Sequence, residues 1–380
     1  MDEILRVPRL FMEELSRPFL EREEQARLIT IALMTKEHLV MIGEPGTAKS
    51  ALVRRAAELL NAKFFLYLLT KYTEPAELFG PIDVVALKNG VYKRITENRL
   101  LDAHVVFLDE IFNANSSILN TLLSIINERV VYDQTQIQVP LWSLFAATNR
   151  VPDETELEAL YDRLLIREFV RPLDETLWTS MLKKGLELEY ATPKAERKFS
   201  LDEFRQIYEI LPKVNVDGVI PKIPKILIAA HEKEIGISDR RKGKLLKIIA
   251  ANALIEGRSY ATEDDLMILK NIFAKDMDDY EKINTILTEL IQTTEKYMRE
   301  FEEIQRNLKV IDEQLSSSTD TRLSVMLPDL LKSLKTARER IEIMRQGVSN
   351  ENVLKKSDEI IQFIDTLLAR VAKIMGVWTS

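Results

Sequence analysis

Gly43-Glu44-Pro45-Gly46-Thr47-Ala48-Lys49-Ser50 follows a short apolar run at residues 39–42 and precedes a helical pattern that begins at Ala51. The spacing is that of a phosphate-binding loop (P-loop) between a strand and a helix, with Ala48 where the pattern has its last glycine. In such a loop, successive backbone N–H groups and the helix N-terminus bind phosphate oxygens. Lys49 would neutralise the charge of the β- and γ-phosphates, and the Ser50 hydroxyl would bind Mg²⁺. Taken alone, the run could also be a glycine-proline turn without a ligand. The predicted nucleotide-binding residues here are Gly43, Glu44, Pro45, Gly46, Thr47, Ala48, Lys49, Ser50 and Ala51.

Two further apolar runs end in polar side chains that suit the same chemistry. Asp109 and Glu110 follow residues 105–108, and Asn149 comes soon after residues 144–147. Asp109 suits the surroundings of Mg²⁺, and Glu110 suits the base that polarises an attacking water. Asn149 could lie between the γ-phosphate and that water. Each feature has an ordinary alternative, either a strand-end pair of carboxylates or a turn-forming asparagine.

A positive charge ends a short predicted helix just before the apolar run at 165–170. Arg163, directly after Asp162, could reach the γ-phosphate held by a neighbouring subunit, as an arginine finger does. The alternative for Arg163 is a surface ion pair. The order of P-loop, Asp-Glu, Asn and Arg, each at the end of a strand or helix, favours the joint interpretation.

Short apolar runs alternate with helical patterns from about residue 20 to residue 170. The predicted strands cover residues 39–42, 64–68, 105–108, 144–147 and 165–170. Continuous apolar character is typical of strands that have helices on both faces. The alternation therefore predicts an α/β fold with a mostly parallel, three-layer sheet. We assign residues 1–170 to this nucleotide-binding domain and residues 171–275, where the pattern becomes helical, to an all-α domain.

The last hundred residues have a heptad period. Apolar positions recur every three or four residues from Ile283 to Leu315, from Leu330 to Val348 and from Val353 to Ile374. Such seams indicate packed helices, the first of them roughly 35 to 40 residues long. Residues 316–320 and 347–350 have the composition of turns. We therefore predict an antiparallel three-helix bundle at residues 276–380, which would be either a stalk or an arm that docks a partner.

The composition excludes several kinds of site. The 380 residues include no cysteine and three histidines, which rules out disulfides and Cys-ligated metals and makes a His-based metal site unexpected. A net charge of −7 gives no support to a general nucleic-acid or anionic-membrane binder. The N-terminus is charged where a secretory signal would be apolar, and no run of about 18 apolar residues occurs. We expect a cytoplasmic protein with no membrane span.

With these motifs in order, residues 1–275 resemble a AAA+ ATPase of the MoxR family, in its RavA-like branch. The P-loop with Ala48, the Walker B run at residues 107–111 and the segment 157–163 that ends at Arg163 carry the resemblance. Ser238-Asp239-Arg240-Arg241 resembles the sensor 2 of the family's helical lid. The resemblance implies that Arg240 contacts the γ-phosphate of its own subunit's nucleotide. It also implies that Leu20, in the segment 18–23, meets the adenine, although this segment could equally be an ordinary helix entry.

The resemblance further implies an ATPase that uses ATP and Mg²⁺ and assembles into a homo-oligomeric ring, expected to be a hexamer. Such a ring would remodel or assemble a protein client, and the family's usual partner carries a von Willebrand factor A domain. Two rival functions stay open: a nucleic-acid motor, which the acidic charge disfavours, and a nucleotide-switched scaffold with little hydrolysis. The predicted catalytic residues are Lys49, Glu110, Asn149, Arg163 and Arg240, and the predicted Mg²⁺ ligands are Ser50 and Asp109.

Two hairpins are predicted beside this site. Residues 84–88 and 91–95 flank Asn89-Gly90, which is a two-residue turn signal. Residues 130–132 and 136–139 flank Asp133-Gln134 in the same way. In related rings such hairpins face the pore or the axial surface, although they could also simply cover the sheet. The basic residues of the first hairpin, Lys88, Lys93 and Arg94, are the main support for the nucleic-acid motor.

Overall fold

The computed structural model of the chain describes residues 2–152, 154–190, 195–291, 294–317, 320–345, 348, 350–374 and 376. Its strands are β1 Leu39–Ile42, β2 Phe64–Leu68, β3 Val105–Asp109, β4 Val130–Asp133, β5 Thr135–Gln138, β6 Ser143–Thr148 and β7 Ile166–Phe169. Its first α-helices are α1 Asp2–Ser16, α2 Glu23–Thr35, α3 Lys49–Leu59, α4 Pro75–Phe79, α5 Val84–Lys88, α6 Ser116–Glu128, α7 Thr155–Arg163, α8 Trp178–Tyr190 and α9 Leu201–Ile210. The helices that follow are α10 Ile223–Glu232, α11 Asp239–Lys242, α12 Leu245–Ile255, α13 Lys270–Phe273, α14 Met277–Leu290, α15 Thr294–Ser317, α16 Asp320–Arg345 and α17 Glu351–Ile374.

The central sheet of the described residues is parallel and five-stranded, in the order β2-β3-β6-β1-β7. Leu39 pairs with Phe145 on one side and with Ile166 on the other, which places β1 between β6 and β7. The five strands predicted from apolar runs are confirmed, each to within one residue of its predicted bounds. Because all five strands run in the same direction, their carboxyl ends meet at one edge of the sheet. The P-loop, Asp109 and Thr148 lie at that edge.

Successive side chains of the strands alternate between the two faces of the sheet. Met41 and Phe107 belong to a core that includes apolar residues of α1, α2 and α3. Val40 and Val106, one position earlier on each strand, belong to a second core that includes residues of α6 and α7. Both faces are therefore covered by helices, which confirms the predicted α/β class and explains the continuously apolar strands.

The all-α region packs on the first of these cores. Apolar residues of α9, α10 and α12 continue the core that covers one face of the sheet. Glu37, buried at the end of α2, accepts hydrogen bonds from Lys244 Nζ at 2.7 Å and Lys247 Nζ at 2.5 Å. This buried carboxylate, neutralised by two cations, fixes α12 against α2.

The last three helices form a bundle with a core of its own, as predicted. Arg338 pairs with Asp365 at 3.0 Å and Arg345 with Asp358 at 2.8 Å, so α16 and α17 run antiparallel. Their shared core comprises residues such as Phe301, Leu334 and Ile364. The predicted turns at 316–320 and 347–350 lie partly outside the described residues. Within the part of the chain that the structure describes, no helix has both the length and the apolar character needed to cross a bilayer.

The prediction of one long first bundle helix is wrong. Helix α14 ends at Leu290, and Ile291 is extended. Ile283 and Leu287 of α14 pack in the core shared with the sheet, whereas the bundle core begins at Tyr297 of α15. Asp264 accepts a hydrogen bond from the backbone N of Thr294 at 2.7 Å, so the start of α15 is tied to the preceding region. The regular spacing therefore runs through two helices that face different cores.

The prediction of a hairpin at residues 84–95 is also wrong. Residues Val84–Lys88 form α5, because Asp83 Oδ1 accepts hydrogen bonds from the backbone N atoms of Val85 and Ala86 and caps the helix. Gly90, with a φ of +75°, ends that helix rather than joining two strands. Only an isolated bridge between Ile82 and Arg94 remains of the expected pairing in this segment. The second hairpin is confirmed as the antiparallel pair β4–β5.

Candidate functional site

The P-loop connects β1 to α3 through two residues with positive φ. Gly46 has a φ of +81° and Ala48 a φ of +66°, so the alanine accepts the left-handed conformation that glycine would take at lower cost. At the start of the loop, a Cβ on Gly43 would lie 2.3 Å from the carbonyl oxygen of Val170. Gly43 is therefore required for the close approach between the loop and the segment after β7. The loop residues Glu44, Pro45 and Gly46 are exposed, as is Ala51 in the first turn of α3.

Lys49 is buried at the start of α3 and its amine lies against the loop. Its Nζ donates to the carbonyl oxygens of Gly43 at 2.6 Å and Glu44 at 2.7 Å. Burial lowers the pKa of Lys49, while the negative charges of Asp109 and Glu110 raise it. The amine can therefore exchange its carbonyl partners for phosphate oxygens as soon as a phosphate enters the loop.

The carboxylates at the end of β3 face the groups that the sequence predicts. Ser50 Oγ donates to Asp109 Oδ2 at 3.2 Å, so a hydroxyl and a carboxylate oxygen lie side by side. These hard oxygen donors fit Mg²⁺. Asn149 Nδ2 donates to Glu110 Oε1 at 2.7 Å. Burial and the neighbouring charge of Asp109 raise the pKa of Glu110, and Lys49 and Arg150 oppose the shift. A carboxylate with a raised pKa is better suited to accept a proton.

A cavity of about 340 Å³ opens beside the P-loop. Thr47, Ala48 and Leu20 are among the residues that line it. The volume lies within the range of pockets that bind small ligands. The other residues around the cavity are Pro18, Phe19, Arg22, Glu44, Pro45, Gly46, Pro172, Leu173, Trp178, Met181, Lys184 and Gly185.

Arg163 and Arg240 lie close to each other, beside Asp162. Arg163 ends α7, and its Nη1 donates to the carbonyl oxygen of Ala159 at 2.6 Å. Arg240 Nη1 lies 3.7 Å from Asp162 Oδ2. Burial lowers the pKa of Arg163, and repulsion by Arg240 lowers it further. The structure thus brings the predicted finger and the predicted sensor 2 together beside Asp162. It also brings together Lys49, Ser50, Asp109, Glu110 and Asn149.

Sequence reasoning did not single out two arginines that organise the site. Arg22 is buried, and its Nε donates to the carbonyl oxygen of Thr47 at 3.3 Å. Arg241, next to Arg240, is 3% exposed. It donates to the carbonyl oxygens of Asp162, Leu164 and Leu165, and also to that of Ile272. Nothing in the sequence distinguishes a buried arginine from an exposed neighbour, although Arg22 falls inside the segment predicted to meet the nucleotide.

Comparison with protein families agrees with this geometry. Residues 6–209 match the MoxR domain of the MoxR–vWA–beta-propeller ternary systems, and residues 215–287 match a AAA lid domain. An uncharacterised protein of Methanocaldococcus jannaschii is 35% identical over 97% of this chain and 99% of its own length. A second uncharacterised protein of that organism is 40% identical over 72% of each chain.

More distant relatives carry informative names. The chaperone MoxR1 of Mycobacterium tuberculosis is 24% identical over 67% of this chain and 71% of its own length. A crystal structure from Cytophaga hutchinsonii, named as a candidate ATPase, has the same fold with a TM-score of 0.62 and 19% identity. It covers 77% of this chain and 97% of its own. The family match spans more than half of the 380 residues, so this chain belongs to the MoxR family of AAA+ ATPases.

Proposed function

We propose that this protein is a Mg²⁺-dependent ATPase that hydrolyses ATP at the P-loop and forms a ring. One observation carries the proposal: the Ser50–Asp109 and Asn149–Glu110 hydrogen bonds assemble beside the P-loop at the carboxyl edge of the sheet. A chance turn would not need this set of partners. Mg²⁺, held by Ser50 and Asp109, would neutralise phosphate charge.

Each of the site residues has its own proposed role in ATP hydrolysis. The P-loop amides and Lys49 would hold the β- and γ-phosphates. Glu110 would accept the proton of the attacking water, and Asn149 would orient the carboxylate of Glu110 through the hydrogen bond that already joins them. Leu20 would contact the adenine from one side of the cavity.

The position of the arginines supports the proposed ring. Arg163 and Arg240 lie beside Asp162, and a different set of residues surrounds the P-loop cavity. We therefore propose that both guanidinium groups contact the nucleotide of a neighbouring subunit. This proposal differs from the expectation that Arg240 contacts the nucleotide of its own subunit. An arginine finger supplied in this way contributes about 10³–10⁵ to turnover.

Complementation between two inactive variants tests the proposal. Lys49→Ala should not bind ATP, and Arg163→Ala should bind ATP without hydrolysing it. A mixture of the two should regain turnover, because some interfaces then pair an intact Lys49 with an intact Arg163. Arg9→Ala, which changes an exposed arginine of α1, is the matched control and should retain full activity. Absence of recovery in mixed rings, or full activity of Arg163→Ala, contradicts the assignment in trans.

Glu110→Gln tests the hydrolytic role separately. The amide cannot accept the proton of water, so turnover should fall by several orders of magnitude while ATP still binds. Unchanged turnover would exclude Glu110 as the base. A variant that binds ATP without turnover also serves to trap what the ring acts on.

We further propose that the ring remodels or assembles a protein client, as a hexamer of RavA-like type with a von Willebrand factor A partner. The family description names vWA proteins in the same systems, and the relative from Mycobacterium tuberculosis is named a chaperone. Co-purification with Glu110→Gln, compared with Lys49→Ala, tests the idea. A vWA protein retained by both variants equally, or by neither, would count against nucleotide-dependent recruitment.

A further inference from the structure

The cavity beside the P-loop has two chemically different sides. Of the loop residues, Glu44, Gly46, Thr47 and Ala48 offer backbone N–H groups, which suit phosphate. The apolar side comprises Phe19 and Leu20 together with Leu173, Trp178 and Met181. Phosphate oxygens gain nothing from such a surface, so this side must accommodate a different part of the ligand.

Helix α8 supplies the aromatic part of this surface. It begins at Trp178, directly after a short 3₁₀ turn in which Asp174 Oδ1 accepts hydrogen bonds from Thr176 N at 2.9 Å and Thr176 Oγ1 at 2.7 Å. This capped turn fixes where the helix starts. Trp178 is 51% exposed and Met181 is 41% exposed. An indole ring at a cavity wall that remains half exposed has apolar surface left for a ligand.

We propose that Trp178, supported by Met181, stacks on the base of the nucleotide, and that Leu20 of the same apolar lining also contacts the base. The inference rests on the proposed ATPase function, since it concerns the other end of the same ligand. Stacking of a base on an aromatic side chain corresponds to about a tenfold change in affinity, or more. Trp178 is thus a binding residue that selects ligands carrying a base.

The same helix provides a matched control. Trp178, Met181 and Gly185 line the cavity, and this spacing places them on one face of α8. Leu182, which is 70% exposed and lies one turn after Trp178, is not among the residues that line the cavity. Leu182→Ala therefore removes a similar exposed apolar side chain from α8 without changing the cavity.

The experiment compares the binding of ATP with that of inorganic tripolyphosphate, which has the phosphates and lacks the base. For Trp178→Ala we expect the Kd for ATP to rise about tenfold or more and the Kd for tripolyphosphate to stay unchanged. Trp178→Phe should recover most of the ATP affinity, and Leu182→Ala should match the wild type. In the wild-type protein, ATP should quench indole emission and tripolyphosphate should not. Subtracting the signal of Trp178→Phe isolates Trp178 from the other two tryptophans of the sequence, Trp142 and Trp378.

The outcomes distinguish a failure of the stacking proposal from a failure of the ATPase proposal. An unchanged ATP affinity in Trp178→Ala, or an equal loss for ATP and tripolyphosphate, overturns the stacking role and leaves the ATPase proposal intact. If instead Lys49→Ala binds ATP as well as the wild type does, the P-loop is not the nucleotide site and the proposed function itself fails.

Discussion

Glu168 of β7 is a buried carboxyl whose removal should make the protein more stable at neutral and alkaline pH. It is 5% exposed and accepts hydrogen bonds from Gln25 Nε2 at 2.7 Å and Asn271 Nδ2 at 2.9 Å. Burial raises its pKa to about 7, and the charge of Glu24 adds to the shift, whereas the two amides and Lys270 oppose it. The amide oxygens Gln25 Oε1 and Asn271 Oδ1 are buried without a partner, so a proton on Glu168 would find an acceptor after one amide flip.

The magnitude follows from the difference between the folded and unfolded pKa values. A raised pKa means that the folded state holds a proton that the unfolded state, with a pKa of 4.5, has already released. The destabilisation is absent below pH 4.5, grows between pH 4.5 and pH 7, and is complete above pH 7. A difference of about 2.5 units at 1.36 kcal/mol per unit gives about 3 kcal/mol. Glu168→Gln keeps the shape and removes the charge, and its amide can donate to Gln25 or Asn271.

Urea unfolding between pH 5 and pH 8 provides the assay. The free energy of unfolding of Glu168→Gln should exceed that of the wild type by up to about 3 kcal/mol at pH 8, and the difference should shrink as the pH falls towards 5. Glu13→Gln, which changes an exposed carboxylate on α1, is the control. The free energy of unfolding of this variant should change between pH 5 and pH 8 by the same amount as that of the wild type. A constant difference between Glu168→Gln and the wild type across this range, or a Glu168→Gln variant less stable than the wild type at pH 8, would refute the account of Glu168 as a buried carboxyl with a raised pKa.

Two further predictions concern the lid and the metal. Arg241→Met should lower the free energy of unfolding by about 3 kcal/mol or more, because it leaves several buried carbonyl oxygens without a donor. Arg240→Met changes the exposed neighbour and should lower the free energy of unfolding by about 0.5 kcal/mol at most; urea titration measures both variants. Ser50→Ala should abolish the increase in ATP affinity that Mg²⁺ produces. ATP titrations with and without Mg²⁺ measure this increase, and an unaltered increase would exclude Ser50 as a Mg²⁺ ligand.

The parts of the fold that the sequence predicts well are those set by local patterns. The strands at 39–42 and 105–108 are continuously apolar because helices cover both faces of the sheet. The P-loop is equally local, since spacing alone places Lys49 and Ser50 at the start of a helix. Asp109 and Glu110 could be assigned because a parallel sheet brings strand ends together at one edge.

The errors arise where one short-range signal competes with another. The valines of residues 84–88 favour a strand, but Asp83 caps a helix there and Gly90 ends it. The seam from Ile283 to Leu315 is regular, yet periodicity does not reveal which core each helix faces. Trp178 carries no motif at all, because its location at the cavity depends on where α8 begins. A short stretch of sequence does not show which core a helix faces or which side chains line a cavity.

The position of Arg163 is linked to the position of the lid through Arg241. Arg241 belongs to α11, and its guanidinium donates to the carbonyl oxygens of Asp162, Leu164 and Leu165, which flank Arg163 at the end of α7. It also donates to Ile272 of α13, so one buried cation joins the lid to the segment that contains the proposed finger, Arg163. If the lid moved alone, several buried carbonyl groups would lose their donor, each at a cost of about 1–3 kcal/mol. We therefore expect the lid and the end of α7 to move together, and in the proposed ring a change in lid angle in one subunit would alter the distance from Arg163 to the nucleotide of its neighbour.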